Sequence, residues 1–110
     1  MALRIFRVVV RGHFHDLDEE PRAVLVAEAD NYEIFKSAYT EDGTLTYEPN
    51  LVAFSFRYEM RSSDDSAADA EDQVIEAALA KTRASLDLMG VSYRHLRGTA
   101  TDMASVWSDG

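Results

Sequence analysis

Leu51 to Arg61 reads LVAFSFRYEMR. With a period of two it sets Val52, Phe54, Phe56, Tyr58 and Met60 on one side. Leu51, Ala53, Ser55, Arg57, Glu59 and Arg61 fall on the other. An aromatic side and a charged side describe a strand in a sheet with one covered face and one open face. The remaining strands are sorted by which of those faces they share.

Just upstream, TEDGTLTYEP carries a turn signal at Asp42–Gly43 and then a short strand over 44–48, with Leu45 and Tyr47 inward and Thr44 and Thr46 outward. Glu48, Pro49 and Asn50 make a tight connection, so the two strands form a hairpin. Pairing Tyr47 with Val52 and Leu45 with Phe54 puts all four on the covered face. Further back, Leu3 to Phe14 (LRIFRVVVRGHF) is a strand with Phe6, Val8 and Val10 on one parity and Ile5, Arg7, Val9, Arg11 and His13 on the other. The arginines mark the second set as open.

HDLDEEP reads as a helix start, with Asp16 or Asp18 as cap and Glu19 and Glu20 beside the positive helix end. Pro21 is tolerated only in a first turn, which favours the later cap. This helix is expected to run to about Asp30 and to bury some of Val24, Leu25, Val26 and Ala27, with Tyr32, Ile34 and Phe35 packing the approach to the next strand. The acidic segment SSDDSAADAED, residues 62–72, becomes a second helix capped by Asp65 or Ser66. Ile75, Leu79, Thr82, Leu86 and Met89 recur at helical spacing, and Gly90 is the expected stop. Tyr93 to Asp102 is the last strand, followed by a short tail (103–110) with Val106 and Trp107.

The order strand, helix, strand, strand, helix, strand predicts one α+β domain over 1–110 with the ferredoxin-like βαββαβ split arrangement. A four-stranded antiparallel sheet carries both helices on one face. Its first and third strands are central, flanked by the fourth and second.

Composition narrows the function classes. At 110 residues and 46% apolar content the chain builds one modest core. It has no cysteine, which removes disulfides, thiolate ligands and a cysteine nucleophile together. No apolar run approaches the roughly 20 residues of a membrane span. Arginines within the N-terminal apolar run argue against a signal peptide, and a cytoplasmic location is expected. The net charge of −9 opposes binding to nucleic acid or an anionic membrane.

Against that background the open face stands out. By parity it gathers Arg7, Arg11, His13, Thr44, Thr46, Ser55, Arg57, Glu59, Arg61, Tyr93, His95, Arg97, Thr99 and Thr101, which includes five of the nine arginines. Clustered guanidinium groups on a bare sheet suit a carboxylate, phosphate or phenolate. The plainer reading is a solvated arginine-lined sheet, or one that meets a second copy or an acidic partner. Arg7, Arg11, Arg57, Arg97 and Tyr93 are the candidate ligand-binding residues. His95 or His13 is the candidate proton handler.

His13, His15 and His95 raise zinc as an option, but no carboxylate is placed to orient a ring, and neither a metal nor a cofactor is expected. Asp102 falls on the helix side near Arg4, where it is either half of a structural ion pair or, beside Tyr58 or Tyr32, a general base. RNA binding is not expected, because Phe6, Phe54, Phe56 and Tyr58 all point away from the open face.

With FRVVVRGHF, TEDGTLTYEP, FSFRYE and TATDM in view, the whole chain resembles a family of short actinobacterial proteins carrying a domain of unknown function. That resemblance implies no activity. At the level of architecture the chain looks like the dimeric α+β barrel proteins, which include cofactor-free monooxygenases and polyketide cyclases. That likeness implies a homodimer and a cofactor-free reaction. VVVRGHF is also loosely similar to the acylphosphatase phosphate loop, but His15 and Asp16 stand where its small residues would be. Two functions remain in view: a binder of a small anionic or phenolic molecule, with or without catalysis, and a non-catalytic interaction protein.

Overall fold

The computed structural model describes residues 3–32 and 38–103. Its elements are β1 (Arg4–Phe14), α1 (Glu19–Glu28), a 3-10 turn (Ala29–Tyr32), β2 (Thr44–Tyr47), β3 (Ala53–Ser62), α2 (Ala67–Met89) and β4 (Tyr93–Asp102). The strands form one antiparallel sheet in the order β2-β3-β1-β4, with the first and third strands inside. Ile34, Phe35 and the tail around Val106 and Trp107 lie outside the described residues.

One face of the sheet carries the core. Phe6, Val8, Val10 and Phe14 of β1 are buried together with Phe54, Phe56 and Tyr58 of β3 and Leu45 and Tyr47 of β2. Leu25, Ala29, Ala70, Val74, Ala78 and Leu86 belong to the same cluster, so both helices cover that face. Two close approaches shape it. A Cβ on Gly12 would stand 2.6 Å from Cζ of Phe54, and one on Gly43 would stand 2.3 Å from Cε1 of Tyr58. Gly43 also has φ of 92°, which a side chain would oppose as well. Tyr58 is fully buried, and its hydroxyl is 2.7 Å from the Thr82 hydroxyl, which in turn donates to the Ala78 carbonyl.

α2 starts as expected at a Ser66 cap, whose side chain accepts from the Asp69 N–H. It stops as expected at Gly90, with φ of 69°. Its buried ridge differs from the expected one: Ala70, Val74, Ala78, Thr82 and Leu86 face the sheet. Ile75 and Leu79 are only partly buried at its flank, and Met89 is 38% exposed. The reason is size. Two alanines in the ridge let the helix axis come close, so the larger side chains straddle the contact line.

α1 is a lighter cover. Asp18 precedes it without a side-chain capping bond, and Pro21 sits in its first turn. Of the four residues some of which are expected inside, Leu25 is buried and Val24, Val26 and Ala27 are exposed. The helix ends at Glu28, short of the expected Asp30, and tightens into the 3-10 turn.

The hairpin register also moves. Tyr47 pairs with Phe54 and Leu45 with Phe56, two residues beyond the expected partners. An even shift keeps the same side chains inside. It lengthens the connection to residues 48–52, where Leu51 folds inward at φ of 54° and Val52, expected on the covered side, is 59% exposed.

Candidate functional site

Among the described residues neither helix lies on the second face of the sheet, and its side chains form rows fixed by register. One row reads Thr46, Ser55, Arg11, Arg97 across β2, β3, β1 and β4. The next reads Ala53, His13, Arg94. In the other direction lie Thr44, Arg57, Val9 and Thr99, then Glu59, Arg7 and Thr101. Neighbouring strands are about 4.8 Å apart, so Arg11 and Arg97 are direct cross-strand neighbours on this face.

Arg94 enters this face through an irregularity. Between the pairs Arg11–Arg97 and His13–Arg94, β1 advances two residues and β4 three, a one-residue bulge. His95 occupies it at φ of 59°, a conformation in which histidine is over-represented among non-glycine residues. The bulge turns the His95 ring onto His13, with centroids 5.5 Å apart and planes at 78°. It also reverses the faces beyond it. Tyr93, expected on the open face as a ligand contact, pairs with Phe14 and packs against the core. A signal for this was present in the sequence: strict alternation placed a charged Arg94 on the covered side and Tyr93 outside, and an extra residue between Arg94 and Arg97 corrects both.

These rows floor a groove of about 970 Å³ whose lining includes Arg11, His13, His95 and Arg97. The hairpin supplies its other side through Thr46, Ser55, Ala53, Val52, Pro49 and Glu48. The hydroxyls of Thr46 and Ser55 are 2.7 Å apart and share one hydrogen bond. Among the described residues neither Arg11 nor Arg97 is within ion-pairing distance of a carboxylate.

The other expected arginines sit elsewhere on the same face. The Tyr39 ring lies 4.8 Å from the Arg7 guanidinium carbon and 5.8 Å from that of Arg57. Such cation–π contacts anchor the segment that reaches this spot through Thr40, whose carbonyl accepts from the Glu59 N–H at 2.8 Å. Tyr39 precedes β2 and belongs to no alternating run, so no periodicity pointed to it. Arg61 pairs with Glu41 at 3.3 Å and with Glu59 at 3.7 Å.

Asp102 is on the opposite side of the sheet, 3.3 Å from Arg4, which also reaches the Asp64 carbonyl. It is the structural ion pair, and the structure does not bring it to the histidines. The metal option finds no support: β1 ends at Phe14, the chain turns at Asp16 with φ of 45°, and His15 lies 3.1 Å from the Asp16 carboxylate. Among the described residues no three His, Cys, Asp or Glu side chains are grouped to hold a metal ion.

The buried tyrosines are not acid–base groups for the groove. Burial, with smaller contributions from Tyr32 and Glu28, pushes the Tyr47 phenol up to about 12, and its hydroxyl donates inward to the Leu25 carbonyl at 2.6 Å. Burial likewise raises Tyr58, opposed by its bond to Thr82. The imidazoles that line the groove are those of His13 and His95.

No helix among the described residues is long and apolar enough to cross a membrane. The sequence model of a family of unknown function, DUF6204, matches residues 1–109. No curated protein and no solved structure matches the chain.

Proposed function

We propose, for a chain that belongs to the DUF6204 family of unknown function, that it binds a small organic anion in the groove floored by Arg11, His13, His95 and Arg97. One observation carries the reading: Arg11 and Arg97 face each other across a ladder without a carboxylate partner among the described residues. Like charges directly opposite in a sheet are unfavourable, and a shared anion removes the conflict with charge-assisted bonds. That this occurs on a protein of net charge −9 makes the local concentration of arginine the more specific.

The element order and sheet order suit the ferredoxin-like arrangement of dimeric α+β barrel proteins, which include cofactor-free monooxygenases and polyketide cyclases. On that analogy His95, turned into the groove by its bulge, is the group that gives or takes a proton. The competing reading, a homodimer through bare sheet faces, sets a face that carries Arg11, Arg94 and Arg97 without carboxylate partners among the described residues against its own copy. That repulsion favours the small-ligand reading, or a dimer that shares the anion.

Calorimetric titration with benzoate tests the proposal. Arg11→Ala and Arg97→Ala are each expected to weaken binding at least tenfold, about what the loss of one charge-assisted contact gives. Both side chains are exposed, so the melting temperature should hold or rise. Unchanged affinity in both variants would remove the groove as the site.

A further inference from the structure

The groove has two chemically different sides, and strand order decides which is which. β1 and β4 bring two guanidinium groups, Arg11 and Arg97, and two imidazoles, His13 and His95. The β2–β3 hairpin brings Ala53, Val52 and Pro49. Val52 is an aliphatic side chain left 59% exposed by the lengthened connection. On that side the Thr46 and Ser55 hydroxyls are hydrogen-bonded to each other, which leaves a single O–H of the pair to offer a ligand. Glu48 stands on the same wall and repels a second negative charge there.

Resting on the anion-binding reading, we infer that the ligand is an amphipathic anion whose charge is confined to its head. A compact oxyanion head lies between Arg11 and Arg97, and an uncharged apolar body of ring size or longer lies over Ala53 and Val52 toward Pro49. The space supports the body as well as the head. About 970 Å³ is many times what a bare oxyanion fills and falls in the range of roughly 300–1,000 Å³ occupied by drug-sized ligands. The head is defined by its negatively charged oxygens, which a carboxylate and a phosphate monoester both present, whereas the body is defined by the hairpin.

A homologous series separates the two halves. Acetate, butyrate, hexanoate and octanoate are titrated into the full chain at fixed ionic strength, with inorganic phosphate as the head without a body. Affinity is expected to rise about two- to fourfold per added methylene, the change that partial to full burial of a CH₂ carries. Phosphate should bind more weakly than octanoate. Val52→Ser, at an exposed position, should weaken octanoate more than acetate. Affinity indifferent to chain length, or phosphate binding tighter than octanoate, overturns the amphipathic ligand and leaves anion binding standing. If none of these anions binds, phosphate included, both readings fall.

Discussion

The His95 ring stands edge-on to His13 on the uncovered side of the sheet, at 5.5 Å between centroids, because a bulge holds its backbone at φ of 59°. A left-handed conformation at a residue with a side chain is strained by about 1 kcal/mol. Here the strain coincides with the one place where two imidazoles and two arginines converge.

That coincidence separates stability from binding. His95→Gly relieves the strain while His95→Ala keeps it, so the glycine variant should be the more stable of the two by about 1 kcal/mol. Both should bind benzoate more weakly than the parent. Urea midpoints at unchanged slope report the first difference and calorimetry the second. Equal midpoints for the two variants would mean the bulge is not strained.

Gly12 lies on the other face of β1, against Phe54. Gly12→Ala forces a ring that is 97% buried to move, with an expected loss of about 1–3 kcal/mol by denaturant unfolding. A neutral outcome would show that the Phe54 ring has room to shift within the core.

Alkaline pH should unfold the protein earlier than ordinary tyrosines would. The Tyr47 phenol keeps its proton up to about 12 when folded, against 10.0 in the unfolded chain. Between those values the unfolded state holds fewer protons, so stability falls as pH rises. Tyr58 contributes in the same direction. Tyr47→Phe should flatten part of that fall and lower stability at neutral pH by about 1–3 kcal/mol, since the buried Leu25 carbonyl loses its donor. Stability that stays level across this window would contradict the burial of Tyr47.

Alternation alone sorted Arg7, Arg11, His13, Arg57 and Arg97 onto one face, because β1 and β3 are regular and only one of their faces is covered. It failed where regularity failed. The bulge at His95 exchanged Tyr93 for Arg94, and Tyr39 arrived from a segment with no period to read. On α2, the spacing of large side chains identified a helix but misplaced its contact line, since the alanines that set the approach distance give a weak apolar signal. The groove itself needed the hairpin connection, whose length depends on a register shift of two that leaves the inside and outside residues unchanged.

The chemical shifts of the His13 and His95 side chains during a benzoate titration test the anion groove most directly. Both imidazoles, together with the Arg11 and Arg97 side-chain N–H groups, should shift along one saturating curve while His15 stays still. Shifts confined to His15, the helices or Tyr39, or no saturable change at either groove histidine, would contradict it.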